Sequence, residues 1–154
     1  MSKKSKISYF IVTFLFFMIF DFYFSNLILN CGYQFPENPI INLTYIQNDG
    51  AAFNILQDAR LFLVVFSLIA LGSIGFYVVK NISNFSSFLI FCTSMLCAGI
   101  FCNMYERIIY GYVRDFFDFN FVNFPVFNIS DIFISLSVFA IVIIIIKSSY
   151  FKKS

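Results

Sequence analysis

Four apolar runs, separated by polar breaks of unequal length, set the pattern of the chain. They run from Ile7 to Leu29, from Leu61 to Val79, from Phe85 to Tyr105 and from Val126 to Ile146. A helix rises about 1.5 Å per residue, so runs of this length cover the ~30 Å hydrocarbon core of a bilayer. The pattern predicts transmembrane helices over about 7–29, 61–79, 85–105 and 126–146. The break at Lys80–Asn84 has room only for a tight turn. The other two breaks, about 30–58 and 106–125, are long enough for structure of their own. In the first, Gly32, Pro36 and Pro39 interrupt any helix, and INLTYIQN (41–48) has the β-branched and aromatic content of a short strand. Asn48-Asp49-Gly50 then signals a turn. In the second, residues 109–119 mix Ile, Tyr, Val and Phe in a strand-compatible way. The expected fold is an all-α membrane protein, one polytopic domain over residues 1–154, with a small β-containing extracytoplasmic subdomain.

Composition agrees with this reading. Of the 154 residues 60% are hydrophobic and 12% charged, with 25 Phe, too apolar for a soluble domain of this size. Net charge is +2, which gives no reason to expect nucleic acid as a partner. MSKKSK ahead of the first run could open a signal peptide, but no A-x-A-like site follows, and a retained first helix is expected. Four spans place both termini and the 80–84 turn on one side. That side carries Lys3, Lys4, Lys6, Lys80, Lys147, Lys152 and Lys153, so the positive-inside rule makes it cytoplasmic. All eight carboxylates fall in the outer loops or the outer halves of the spans. The titratable chemistry therefore gathers at the outer membrane–water boundary.

The missing side chains narrow that chemistry. With no His, a Ser-His-Asp triad, a Cys-His pair and a His-ligated metal are excluded. Cys92, Cys97 and Cys102 recur every fifth residue in an apolar span and read as small packing residues. No metal or other cofactor is expected. Residues 103–131 hold Glu106, Arg107, Arg114, Asp115, Asp118 and Asp131, a charge density that marks a functional site when set against hydrocarbon. Two carboxylates close together in a partly dry site keep one proton between them, and can activate water while protonating a peptide carbonyl. Asp131, about one and a half turns into the fourth predicted span, is one candidate. Asp115 and Asp118 compete to be the other, and spacing does not choose between them. The bland alternative has these carboxylates paired with Arg107 and Arg114, anchoring helix ends. A proton or ion path would show ionisable groups at several depths, which the cytoplasmic halves of the spans lack.

Four ordered motifs resemble the lipoprotein signal peptidases (signal peptidase II). Asp21 fits the Asp of a D-Q-x-x-K motif, and Asn48-x-Gly50-Ala51-Ala52-Phe53 fits N-x-G-A-A-F. Asn103-x-x-Glu106-Arg107 followed by Gly111-Tyr112-Val113-x-Asp115-Phe116 resembles N-x-x-D-R…G-x-V-x-D-F. Phe127-Asn128-Ile129-Ser130-Asp131 resembles F-N-x-A-D. The resemblance implies catalytic aspartates at Asp115 and Asp131. It implies a substrate-orienting shell of Asn48, Gly50, Asn103, Arg107 and Asn128, with Asp21 and Glu106 in support. The implied reaction cuts a prolipoprotein on the amino side of its diacylglyceryl-modified cysteine. The implied partners are that substrate and membrane lipid, with the enzyme acting as a monomer. A small outer sheet and a short helix near 51–58 are implied as well.

The chain departs from the motifs at a few positions. Phe22 and Ser25 replace the usual Gln and Lys after Asp21. Ala98 to Cys102 is bulkier than the usual approach to Asn103. Glu106 stands in for Asp and is expected to pair with Arg107, and Ser130 stands in for Ala as a minor change. A non-catalytic four-helix packing subunit, or an inactive family member, is the alternative reading.

Overall fold

The computed structural model describes residues 1–30, 39–50 and 56–151. Among these, four helices are long and apolar enough to cross a membrane. They are α1 (Lys3–Asn30), α2 (Arg60–Asn81), α3 (Ser87–Ile109) and α4 (Ile129–Phe151). Strands β1 (Ile41–Asn48) and β2 (Val113–Phe119) form a two-stranded antiparallel sheet. The helix implied near 51–58 lies largely outside the described residues; Leu56–Asp58 form a turn in which Leu56 and Asp58 both take φ of 60°.

The bundle is organised around α3, the most buried of the four helices, which packs against α1, α2 and α4. Its buried side chains are mostly small or weakly polar: Cys92, Thr93, Ser94, Cys97, Ala98, Gly99 and Cys102. In lipid no hydrophobic force drives helices together, so close packing of small residues does that work. Gly99 marks the closest approach. A Cβ there would sit 2.7 Å from the Ser130 carbonyl oxygen and 2.9 Å from Ile134 Cγ1, both on α4. Large apolar side chains such as Phe16, Phe62, Phe66, Phe76 and Phe139 point outward. Inside, Phe17 meets Phe91 and Phe133 edge to face, with centroids 5.2 and 5.0 Å apart.

Two ends of the bundle are tied differently. At one, Lys6 Nζ donates to the carbonyls of Ser83 and Phe85, each at 2.7 Å, clamping the start of α1 to the α2–α3 turn. Ser86 caps α3 there, its Oγ accepting from Leu89 N at 3.1 Å. At the other end α3 runs on to Ile109, so Glu106 and Arg107 lie in its last turn rather than in the loop after it. Gly111, at φ +94°, takes the left-handed conformation that stops the helix, and its N–H reaches the Arg107 carbonyl at 3.2 Å. The chain then turns straight into β2.

β1 covers the INLTYIQN segment end to end. It pairs with β2 as Ile41 to Phe119, Asn42 to Asp118 and Leu43 to Phe117, then resumes as Ile46 to Asp115 and Asn48 to Val113. The extra residue between Leu43 and Ile46 is a bulge, which bends a strand and re-aims its side chains. The far side of β2 is held by Phe127, which exchanges backbone hydrogen bonds with Phe117. β2 is thereby fixed on both edges, and it also contacts α3.

Candidate active site

Asp115 lies mid-way along β2 and is 1% exposed. Successive side chains of a strand alternate faces, so Asp118, three positions on, belongs to the opposite face. That parity separates the two candidates that spacing left open. Asp115 Oδ2 accepts from Asn48 Nδ2 and its Oδ1 from Asn128 Nδ2, each at 2.9 Å.

Asp131 is positioned by the start of α4. Asn128 precedes the helix, and its Oδ1 accepts from Asp131 N at 2.9 Å, while Asp131 Oδ2 accepts from Asn128 N at 3.2 Å. This reciprocal pair is a capping box, with Asp in place of the commoner Glu. Asp131 is accordingly in the first turn of α4, not one and a half turns inside a span, because the helix begins at Ile129. The apolar run starts earlier, at Val126, and hydropathy alone cannot see that Asn128 has capped the backbone.

The two carboxylates are linked through two amides. Asn103 Nδ2 donates to Asp131 Oδ1 at 2.9 Å, and Asn103 Oδ1 accepts from Asn128 Nδ2 at 3.0 Å. The path Asp131–Asn103–Asn128–Asp115 therefore joins α4, α3 and β2 in one network. Asn48 orders the other edge: its Oδ1 accepts from Gly50 N at 3.0 Å. The Gly50 carbonyl in turn accepts from Arg107 Nη2 at 2.6 Å, while Arg107 Nη1 donates to the Asn103 carbonyl at 3.2 Å. Arg107 Nε is buried without a partner among the described residues. All seven residues expected at the reaction centre and its orienting shell thus come together.

The electrostatics follow from burial. Asp115 is pushed up to about 7, chiefly because burial disfavours its charge and secondly because Asp131 repels it. The Asn48 and Asn128 amides and the nearby Arg107 charge only partly offset this. Among the described residues the one ion pair is Glu106 with Arg114. Anchoring by Asp–Arg ion pairs is therefore not what holds the aspartates, which take amides and a backbone N–H instead.

Glu106 is also a correction. It pairs with Arg114, not Arg107: Arg114 Nη2 and Nε donate to its Oε1 at 2.6 and 2.9 Å, and Arg114 N donates to its Oε2 at 2.7 Å. The reason is geometric. Gly111 folds the chain back so that Arg114 meets the last turn of α3, whereas Arg107, one residue on from Glu106, points elsewhere round the helix. Arg114 further donates to Asn26 Oδ1 at 3.3 Å and stacks over the Tyr110 ring at 4.6 Å. Asp21, in α1, is 3% exposed and accepts from Ser130 Oγ at 2.8 Å, so it is buried rather than wetted. Sequence reasoning named Arg114 as an ion-pair partner for the carboxylates without choosing Glu106 for it, and took Ser130 as a minor change. The Asn128-x-x-Asp131 spacing ahead of an apolar run was a signal that could have placed the cap.

A family model described as signal peptidase (SPase) II matches residues 11–147. The chain is 34% identical over 108 residues to a protein named lipoprotein signal peptidase from Streptococcus thermophilus, covering 70% of each. It is 37% identical to one from Caldicellulosiruptor bescii, covering 70% of this chain and 69% of that one. For one from Clostridium tetani the identity is 35% over 114 residues, with 72% of each covered. A bacterial membrane enzyme structure obtained by the in meso method at 2.3 Å superposes with a TM-score of 0.82 at 30% identity, over 93% of this chain and 90% of that one. A second, at 1.9 Å, gives 0.77 at 30% identity, over 92% and 94%.

Proposed function

The chain belongs to the signal peptidase II family, and from that premise we propose that Asp115 and Asp131 are the catalytic pair of a membrane endopeptidase. The enzyme removes signal peptides from prolipoproteins. The observation that carries the site assignment is the amide-bridged carboxylate pair, in which Asp115 holds its proton up to about 7. Asp131, gripped by the Asn103 amide and the first backbone N–H of the cap, acts as the charged member. It takes a proton from a water that attacks the scissile carbonyl carbon. Asp115 gives its proton to the carbonyl oxygen, producing a neutral gem-diol. Collapse of the diol returns a hydroxyl proton to Asp115, while the Asp131 proton passes to the leaving nitrogen. Both residues end as they began, and water has been added across one peptide bond.

Asn48, Gly50, Asn103, Arg107 and Asn128 hold the pair and face substrate. The substrate is a prolipoprotein cut beside its diacylglyceryl-modified cysteine, whose lipid would keep the scissile bond at the interface. The lysine-rich end of the bundle, where Lys6 clamps the α2–α3 turn, is assigned to the cytoplasm. The sheet and aspartates then face outward, in one polytopic domain acting as a monomer. The test is processing of a diacylglyceryl-modified prolipoprotein by Asp115→Asn, Asp131→Asn and Asp118→Asn. Loss in the first two with retention in the third is expected. Normal cleavage by either of the first two would refute the assignment.

A further inference from the structure

We infer that Ser130 and Asp21 are a positioning pair for Asp131, a role that rests on the catalytic assignment above. Ser130 is the second residue of α4, between the Asn128 cap and Asp131, and it is 1% exposed. It is fixed from two directions. Its hydroxyl donates to Asp21 Oδ1 on α1 at 2.8 Å. Its carbonyl oxygen lies against Gly99 on α3, where the space beside the glycine is too small for a Cβ. Three helices therefore converge on the residue next to Asp131.

Asp21 needs this arrangement as much as Ser130 does. A carboxylate inside a membrane helix is expensive without a partner. Among the described residues no cation pairs with Asp21, since the one ion pair lies between Glu106 and Arg114. Ser25 stands one turn further along α1, buried but uncharged. The group that holds the Asp21 carboxylate by hydrogen bond is the Ser130 hydroxyl. The position occupied by Ser130 matches an Ala in the motif, so the hydroxyl is an addition in this chain, and it points at a buried acid that lacks a cation among the described residues.

The mechanical consequence concerns the first turn of α4. Asp131 is joined to Asp115 through the Asn103 and Asn128 amides, and Asp115 rides on β2, which meets the α4 segment at Phe127 and Asn128, ahead of the helix. Rotation of the first turn of α4 would shift Asp131 relative to Asp115 while leaving the sheet in place. The Ser130–Asp21 hydrogen bond resists that rotation from the α1 side, and Gly99 resists it from the α3 side.

The experiment measures kcat and KM of Ser130→Ala and of Asp21→Asn on a lipopeptide substrate, with Asp131→Asn and the double variant Asp21→Asn/Ser130→Ala beside them. A positioning role predicts that Ser130→Ala lowers kcat about tenfold, within the range that small misplacements of catalytic groups produce, with KM unchanged. It also predicts that the double variant loses little more than the worse single variant, because both changes remove the same contact. Unchanged kcat in Ser130→Ala, with only a lowered Tm, would overturn the inference, as would fully additive losses. If Asp21→Asn does not fold, the kcat of Ser130→Ala decides alone. Activity in Asp131→Asn would instead refute the catalytic assignment itself, so the two failures are distinct.

Discussion

Replacing Asp115 by Asn should abolish cleavage and yet stabilise the protein above neutrality, and the structure gives the size of both effects. Asp115 is 1% exposed, and its carboxyl rises from 3.8 to about 7 on folding. A group whose folded pKa is raised contributes its full stability below the unfolded value, here 3.8, and loses it as pH rises through the folded value. A rise of that size corresponds to roughly 4 kcal/mol of stability lost between pH 4 and pH 8. The Asn variant has no such proton to lose. It carries a fixed cost instead, because Asp115 accepts from Asn48 and from Asn128 and an amide offers only one oxygen. One donor left facing another costs about 1–3 kcal/mol. The variant should therefore be less stable than the parent at pH 4 and more stable at pH 8, with a crossing between. Reversible unfolding in mixed micelles at pH 4, 6 and 8 measures this directly. Cleavage should fall by about 10²-fold or more, as expected on losing a general acid. Parallel stability curves for parent and variant across this range would refute the raised carboxyl. The comparison also includes the repulsion that Asp115 shares with Asp131, since both are removed together.

Three further outcomes follow from particular contacts. Cleavage of a lipopeptide should decline as pH rises through about 7, where Asp115 loses the proton it donates; a rate constant from pH 6 to pH 9 would contradict the shared-proton scheme. Glu106→Ala removes one partner of the nearly buried pair with Arg114 and strips Arg114 N of its acceptor, at a cost of about 3 kcal/mol read as a lowered Tm in detergent. Gly99→Val brings side-chain atoms within 3 Å of Ser130 and Ile134, so it should cost about 3 kcal/mol by overpacking and lower the yield of folded protein; a thermal-shift assay on the purified variant checks it.

The fold class was legible because bilayer thickness imposes one length on every span, and the β-rich composition of INLTYIQN marked β1 end to end. The boundary of α3 was less legible. Composition turns polar at Glu106, but the backbone stays helical until Gly111 can adopt positive φ, and that extra turn decides which arginine Glu106 meets. The choice between Asp115 and Asp118 became physical only when residues 113–119 proved to be a strand, since parity then puts them on opposite faces. Ser130 was passed over as a minor change because its partner lies 109 positions earlier in the chain. A contact of that separation leaves no trace in local pattern. The masking of polarity by lipid adds to the difficulty: this bundle keeps small and polar side chains inside and many of its phenylalanines outside, so hydropathy reports the exterior.

The capping box at the start of α4 gives Asp131 a structural duty that Asp115 lacks. Ionised Asp115 burdens the fold above neutral pH, while Asp131, itself costly to bury, also closes the first turn of a helix. A lineage released from selection for cleavage would be pulled unequally at the two positions. Loss of the Asp115 carboxylate would be rewarded by stability at neutral pH and above, while loss of Asp131 would fray α4. Inactive descendants of this chain should therefore betray themselves by a neutral residue at 115 beside a retained Asp at 131, a decay signature written by helix capping rather than by chemistry.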